Sequence, residues 1–283
     1  MRVAVIGAAG LLGKYLVREW SGDELFPLNR AQLDIRDAKQ CADALGPLHP
    51  DWIVLSAAFT DVDACESHPE KAIETNCTGA VNVGSVAKEL GAHMLFVSTD
   101  YVFDGKKSAP YETGDPRNPQ TVYGRSKAEA EVQLIEMLPN VCIARTAWLY
   151  GVGGKSFPDT ILKLAQTRPQ LDVVDDQRGC PTYARDLARA IVGLCRRDAR
   201  GIVHVTNAGD CTWYEFAAEI LRQAGWNTEV RPTTTDKFPR PAPRPKYSVL
   251  SPKSLAKYGI DMPRWPDALR DYLAERGLVS SSP

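Results

Sequence analysis

Short apolar runs alternate along the first half of the chain with segments in which apolar residues recur at helical spacing. Apolar, β-branched runs are typical of buried parallel strands, and their alternation with helices predicts a parallel sheet covered on both faces. The predicted strands are 2–6, 25–28, 51–56, 93–98 and 141–144, and the predicted helices are 11–20, 38–45, 69–90 and 122–138. Right-handed crossovers then make residues 1–145 a doubly wound α/β unit of the Rossmann type.

The alternation becomes less regular after residue 146. The pattern still predicts helices at 184–195, 212–224 and 265–276 and a strand at 201–205, with Asp37 and Thr212 as helix N-caps. Residues 231–250, called here the Pro/Arg segment, contain five prolines, which exclude a regular helix or a central strand. We expect 146–283 to form mostly a smaller α+β substrate domain, with some of its chain returning to the first sheet.

Composition excludes several classes of protein. Of the 283 residues, 34 are Lys or Arg and 35 are Asp or Glu, and this net charge of -1 does not favour a general nucleic-acid binder. The apolar runs fall short of the about 20 residues that a membrane-spanning helix needs. Arg2 and the run after it resemble the start of a signal peptide, but glycines 7, 10 and 13 interrupt the run, so we expect a cytoplasmic protein.

The cysteines and histidines do not form a ligand pattern. Seven cysteines stand at irregular intervals without a Cys-x-x-Cys pair, and the four histidines lack metal-ligand spacing. We therefore expect reduced, buried cysteines and no metal site.

The first candidate site is the glycine turn, Gly7-Ala-Ala-Gly10-Leu11-Leu12-Gly13, which follows the first strand and opens the first helix. In this context Gly7 permits a tight turn, Gly10 lets the backbone approach a pyrophosphate, and Gly13 allows close packing of helix on sheet. The helix N-terminus adds free N–H groups and the positive end of a dipole. The turn predicts dinucleotide binding.

The end of the second predicted strand bears on which dinucleotide binds. Asn29 and Arg30 follow that strand, where an acidic residue would accept hydrogen bonds from the ribose of NAD. A guanidinium in place of the acid favours the 2′-phosphate of NADP, so NADPH is the expected cofactor, with NADH left open.

The second candidate site combines a strand end with a helix. Ser98 and Thr99 end an apolar strand, and Tyr123 and Lys127 share one face of the helix predicted at 122–138. An ammonium beside a phenol favours the phenolate and is expected to lower its pKa, which would make Tyr123 a proton donor usable at neutral pH. The Thr99 hydroxyl could hydrogen-bond the substrate oxygen.

These segments resemble the extended short-chain dehydrogenases/reductases, and most closely the dTDP-4-dehydrorhamnose reductases among them. The resemblance covers nearly the whole chain, and its most specific parts are STDYVFDG at 98–105 and the RPxxS pattern at 244–248. Further matching segments are VIGAAGLLG (5–13), LDI (33–35), AAFTDVDACE (57–66), ETN (74–76), Tyr-Glu (111–112), PQTVYGRSK (119–127), ARTAWLYG (144–151) and DDQRGCPT (175–182).

The resemblance implies a reaction and residue roles. The reaction is the NADPH-dependent reduction of the C4 keto group of dTDP-4-dehydro-L-rhamnose to dTDP-L-rhamnose, used in polysaccharide biosynthesis. Thr99, Tyr123 and Lys127 would be catalytic, and Asp100, Tyr101, Trp148 and Arg244 would bind the nucleotide sugar. The cofactor residues would be Gly7, Gly10, Leu11, Leu12, Gly13, Asn29, Arg30, Asp34, Ile35, Ala57, Ala58, Thr60, Tyr123 and Lys127.

Some positions depart from the family pattern, and other functions stay open. Leu11, Phe59 and Asp61 stand where the family often has Gln, Tyr and Ala, and Ser251 replaces a common Asp. The first three put the fine contacts to the cofactor in doubt. The alternatives are a non-catalytic regulatory subunit resembling the β subunit of methionine adenosyltransferase, or another nucleotide-sugar reductase or epimerase. The expected partner is a nucleotide sugar, and a homodimer is the open alternative to a monomer.

Overall fold

A computed structural model describes residues 1–279 of the chain. Within them, strands β1 to β12 are Arg2–Ile6, Glu24–Leu28, Trp52–Leu55, His93–Thr99, Cys142–Thr146, Leu149–Tyr150, Gln170–Val174, Arg178–Gly179, Thr182–Tyr183, Gly201–His204, Cys211–Thr212 and Glu229–Thr233. Helices α1 to α11 are Leu11–Glu19, Ala38–Leu45, Val62–Ser67, Pro69–Ile73, Gly79–Leu90, Val122–Met137, Phe157–Ala165, Ala184–Arg196, Trp213–Ala224, Lys253–Ala256 and Trp265–Glu275.

The central sheet has six parallel strands in the order β2-β1-β3-β4-β5-β10. The chain runs from β1 to β2 on one side and then crosses back to β3 on the other, so the strand order reverses between β1 and β3. Ligands of such sheets bind in the crevice at the carboxyl ends of the strands, next to this reversal. The predicted doubly wound parallel sheet is confirmed.

Two apolar cores cover the faces of the sheet, because successive side chains of a strand point to opposite sides. Val3 and Val5 lie in the core shared with α1 and α8, and Ala4 and Ile6 lie in the core shared with α2, α5 and α6.

All seven cysteines are buried and free. None of the helices within residues 1–279 combines the length and apolar character that crossing a membrane requires.

Helix starts follow the predicted caps. The Asp37 side chain accepts hydrogen bonds from the backbone N–H groups at the start of α2. Thr212 begins α9 with a capping box, in which the Glu215 carboxylate accepts a hydrogen bond from the Thr212 N–H. Both predicted N-caps are confirmed.

The structure differs from the predicted elements in three places. The single helix predicted at 69–90 consists of α4 and α5 joined by a π-helical turn at Glu74–Thr78. The short helices α3 and α7 were not predicted. The Pro/Arg segment begins with three residues of β12, which among the described residues pairs only with β7, so that Pro232 sits in an edge strand.

The second half of the chain forms a smaller layer beside the sheet and also contributes to the sheet itself. The pair β7 and β12 lies with α7 and α9 in this layer, whereas β10 pairs with β5 and α8 packs on α1. The division of the chain at 145/146 stays a prediction.

Candidate active site

The glycine turn connects β1 to α1 and lies beside the backbone that follows β3. Gly7 has φ +90°, and a Cβ there would lie 2.6 Å from the Ala57 backbone nitrogen. A Cβ on Gly13 would lie 2.1 Å from the Gly7 carbonyl oxygen, so α1 packs on the turn at a distance that only glycine allows. Gly10 is exposed, and a Cβ there would approach only the Gly7 oxygen, at 3.2 Å.

The turn fits a dinucleotide phosphate group. Helix α1 begins after Gly10 without a side-chain cap and without an acidic residue in its first turn. Its first N–H groups and its positive dipole end therefore stay available to an anion. Leu12 is buried in the core, so only its backbone can serve a ligand.

The end of β2 carries charged side chains. Asn29 shapes the turn by accepting a hydrogen bond from the Ala31 N–H at 2.9 Å. The Arg30 side chain is 73% exposed, and its Nη2 lies 3.6 Å from Asp34 Oδ2. At this exposure the guanidinium is accessible to a cofactor phosphate. Arg36 binds Asp34 at 2.6 Å and holds the pKa of that carboxyl at about 2. Ile35, one of the expected cofactor residues, is only 4% exposed.

Asn76 holds the loop after β3, which contains Ala57, Ala58 and Thr60. Its Oδ1 accepts from the Phe59 N–H at 2.7 Å, and its Nδ2 donates to the Phe59 oxygen and to Ser126 Oγ on α6, both at 3.0 Å. Asn76 lies in the π-helical turn and is buried. The turn therefore ties the expected cofactor loop to the helix that carries Tyr123.

Thr99 and Tyr123 come together where β4 ends against the first turns of α6, and Lys127 follows one turn later on the same helix. The Thr99 hydroxyl donates to Asp100 Oδ1 at 3.0 Å and accepts from the Tyr101 N–H at 3.2 Å. The Tyr123 ring packs edge-on against Tyr101, with ring centroids 5.7 Å apart. Burial raises the pKa of the Tyr123 phenol above its ordinary value, and the nearby Thr99 hydroxyl acts in the opposite direction.

The expectation that Lys127 lowers the pKa of Tyr123 is wrong for this structure. Lys127 is 2% exposed, and its Nζ lies over the ring of Phe96, 3.7 Å from the centroid. Burial lowers the pKa of Lys127 itself to about 7, and Glu131 opposes this shift. Burial therefore governs the pKa of each group, and the phenol stays protonated near neutral pH.

A buried ion-pair network fixes α6 against the sheet, and the sequence analysis missed it. Glu131 is fully buried and accepts hydrogen bonds from Ser98 Oγ at 2.6 Å, Arg145 Nη2 at 2.6 Å and Arg117 Nε at 2.7 Å. Such charge-assisted contacts are strong and directional. Its position four residues after Lys127 on one helix face was a usable signal.

A cavity of about 850 Å³ lies between α7, β7 and the Pro/Arg segment, and Tyr101, two residues after the end of β4, reaches its wall. Three of the four predicted substrate residues line it, namely Tyr101, Trp148 and Arg244. Asp100 does not line it, because its side chain turns inward to the Thr99 hydroxyl and is 2% exposed. Burial raises the pKa of Asp100 to about 6.

Trp148 and Trp213 form an aromatic wall of the cavity. Trp148 has φ +46°, a conformation that strains a bulky residue. Its ring stacks on Trp213 with centroids 3.5 Å apart, and a Cβ on Gly179 would lie 2.5 Å from it. Trp213 was missed by the sequence analysis, since nothing in its local pattern distinguishes it from a core aromatic.

Arg244 is anchored by a residue from the other half of the chain. Its Nη2 donates to Asp63 Oδ2 at 2.9 Å, and its Nη1 donates to the Ala242 oxygen at 2.8 Å.

Among residues 1–279 no three His, Cys, Asp or Glu side chains are grouped so that they could hold a metal ion.

Residues 1–277 match the family described as RmlD substrate binding domain. The spore coat polysaccharide biosynthesis protein SpsK of Bacillus subtilis is 42% identical over 277 residues, which cover 97% of this chain and 98% of that protein. A dTDP-4-dehydrorhamnose reductase of Mycobacterium tuberculosis is 38% identical over 283 residues, or 96% of this chain and 92% of that protein.

A solved structure has the same fold throughout. The crystal structure of dTDP-4-dehydrorhamnose reductase from Bacillus anthracis in complex with NADP matches with a TM-score of 0.93 and 36% identity, over 97% of this chain and 99% of that chain. The family match and these relatives extend over the whole sheet and the smaller layer. The chain belongs to the RmlD substrate binding domain family of extended short-chain dehydrogenases/reductases, which are NAD(P)-dependent oxidoreductases.

Proposed function

We propose that the protein uses NADPH to reduce the C4 keto group of dTDP-4-dehydro-L-rhamnose, giving dTDP-L-rhamnose. The supporting observation is the position of Tyr123, which lies beside Thr99 at the carboxyl edge of the sheet and against Tyr101 on the cavity wall. A reductase needs a proton donor at the point where cofactor crevice and substrate cavity meet.

The proton comes from Tyr123 in this proposal. Because burial raises its pKa, the phenol keeps its proton until negative charge develops on the C4 oxygen. The Thr99 hydroxyl orients that oxygen, and a protonated Lys127 stabilises the phenolate left after transfer. Lys127 also binds the nicotinamide ribose.

NADPH supplies the hydride when it is bound. The glycine turn and the uncapped start of α1 bind its pyrophosphate, and Arg30 binds the 2′-phosphate. The loop of Ala57, Ala58 and Thr60 lines the cofactor crevice, and Asn76 holds this loop in place through its hydrogen bonds to the Phe59 backbone.

The cavity binds the nucleotide sugar. Trp148 offers a flat apolar face to the sugar ring, and Arg244 offers a planar guanidinium to the diphosphate. Tyr101 lines the same cavity and contacts the Tyr123 ring. This arrangement directs the keto group of the bound sugar toward the proton donor.

The direct test is a spectrophotometric assay with dTDP-4-dehydro-L-rhamnose and either NADPH or NADH. We expect one NADPH to be oxidised for each dTDP-L-rhamnose formed, with slower turnover on NADH. Loss of NADPH only with dTDP-4-dehydro-6-deoxy-D-glucose would assign another keto-sugar as substrate.

Two further results would overturn the proposal. Co-purified NAD with interconversion of sugars and no net reduction would identify an epimerase. NADPH binding without turnover of any keto-sugar, together with association with methionine adenosyltransferase, would identify a regulatory subunit.

A further inference from the structure

Helix α3 lies at the junction of the cofactor loop, the catalytic helix and the Pro/Arg segment. It follows the loop of residues 57–60 directly and carries Asp63, which faces the Pro/Arg segment. Asp63 Oδ2 accepts from Arg244 Nη2 at 2.9 Å, and Oδ1 accepts from the Ala242 N–H at 3.2 Å. A second guanidinium, Arg240, stands 3.8 Å away.

Asp63 is a fixed point because α3 is anchored on both sides. Asp61 caps the start of α3 by accepting from the Ala64 N–H at 3.0 Å. Glu66 accepts from the Val122 N–H at 2.8 Å, next to Tyr123 at the start of α6. The position of the Asp63 carboxylate is therefore set relative to the proton donor.

Arg244 gains a defined orientation from this anchor. Arginine has several rotatable bonds, so holding its five N–H donors in one geometry costs rotamer entropy. Within the described residues, Asp63 and the Ala242 oxygen take two of these donors, which leaves three for an anion. The Ala242 contact also fixes the backbone two residues before Arg244.

The charge of the cluster suits a diphosphate. Two guanidiniums and one carboxylate carry a net charge of about +1, so Asp63 does not cancel the attraction for an anion. All three groups lie at the edge of the cavity that Arg240 and Arg244 line.

We infer that Asp63 is a positioning residue for the substrate, which holds Arg244 and Ala242 in the geometry that receives the nucleotide diphosphate. The inference rests on the proposed function, since it takes from there the role of Arg244. Asp63 touches neither the sugar nor the cofactor, and it acts through Arg244.

Calorimetric titration of the NADPH-loaded protein with dTDP tests the inference. We expect Asp63→Asn to weaken dTDP binding about 10-fold, because the amide keeps the shape and loses the charge-assisted contact. KM for the nucleotide sugar should rise by the same factor, with kcat and NADPH binding within about twofold of the parent. Asp63→Glu, which keeps the charge, should recover part of the loss.

A double-mutant cycle tests whether Asp63 acts through Arg244. In an Arg244→Ala background, which itself weakens dTDP binding, Asp63→Asn should have no further effect. Glu229→Gln is the matched control, because Glu229 makes a two-contact pair with Arg231, both contacts 2.9 Å, away from the cavity. It should leave dTDP binding unchanged.

The outcomes separate this inference from the proposed function. Unchanged or tighter dTDP binding in Asp63→Asn, with weaker binding in Arg244→Ala, would overturn the positioning role and leave the proposed function intact. A larger rise in KM when both variants are combined than in Arg244→Ala alone would also overturn it. Unchanged binding in both single variants would remove Arg244 from the proposed site and the inference with it.

Discussion

The cofactor side and the substrate side of the site are built in different ways. The cofactor side consists of backbone turns at the ends of neighbouring strands, where Gly7 meets Ala57 at a distance fixed by the sheet. The substrate side consists of side chains from segments far apart in sequence, and those side chains hold one another. Trp213 supports Trp148, and Asp63 supports Arg244.

The difference shows which parts of the site tolerate change. A turn made of backbone needs glycine at particular positions and asks little of the neighbouring side chains. A wall made of side chains depends on the contacts that those side chains make with one another. Substitutions on the first side should therefore affect cofactor binding alone, and substitutions on the second should affect the substrate alone.

The largest effect is expected at Tyr123, where the two sides meet. Tyr123→Phe removes the proton donor and should lower kcat by about 10²- to 10⁴-fold, whereas NADPH affinity, measured by fluorescence titration, stays within twofold. Tyr258→Phe serves as the control, since that hydroxyl bonds only to the backbone of Arg200 among the described residues. Full activity of Tyr123→Phe would remove the phenol from the mechanism.

Asp100 allows a test by pH on the substrate side. Its pKa is raised to about 6 in the fold and is about 3.9 in an unfolded chain, so burial of the carboxylate destabilises the protein above pH 6. Asp100→Asn should raise the free energy of unfolding at pH 8 by about 2–3 kcal/mol. The gain should fall below about 1 kcal/mol at pH 4, where the carboxyl is protonated in the fold and half protonated in the unfolded chain.

Urea unfolding at pH 8 and at pH 4 measures this difference. An equal gain at both pH values would mean that packing and not charge explains the effect. NADPH binding should not change in either case, because Asp100 lies outside the glycine turn.

Gly13→Ala tests the cofactor side. A Cβ 2.1 Å from the Gly7 oxygen must push α1 away from the turn, a strain of about 1–3 kcal/mol, which corresponds to NADPH binding about 10- to 100-fold weaker. Gly46→Ala is the control, because nothing lies within 4 Å of its Cβ and its φ is -53°. The comparison between the two sides fails if dTDP binding falls as much as NADPH binding.

Trp213→Leu tests the support of the aromatic wall. Loss of the stacked ring should raise KM for the nucleotide sugar about 5- to 10-fold, in line with about 1 kcal/mol for an aromatic pair. NADPH affinity should not change. Trp226→Leu, which loses an indole outside the cavity lining, is the matched control. Equal KM values in the two variants would show that Trp148 needs no support.

The sequence predicted more of the cofactor side than of the substrate side, because the first is built from backbone turns and the second from contacts between side chains. The parallel central sheet and the glycine turn follow from local patterns, because backbone hydrogen bonding dictates them. Asp63, Glu131 and Trp213 act through contacts with residues 14 to 181 positions away. Spacing along the chain offered a signal only for Glu131, which stands four residues after Lys127. The pKa shift of Tyr123 was predicted in the wrong direction, since the spacing to Lys127 carries no information on burial.

Strand β10 and helix α8 come from the second half of the chain and complete the sheet of the first. The polypeptide therefore passes out of the nucleotide-binding layer after β5, returns for one helix and one strand, and leaves again. A fragment that stops at residue 145 would expose the edge of β5 and the flank of α1. Substrate preference therefore cannot be exchanged between relatives by joining two chains at residue 145. A chimaera must keep α8 and β10 with the central sheet and exchange only the segments that leave it.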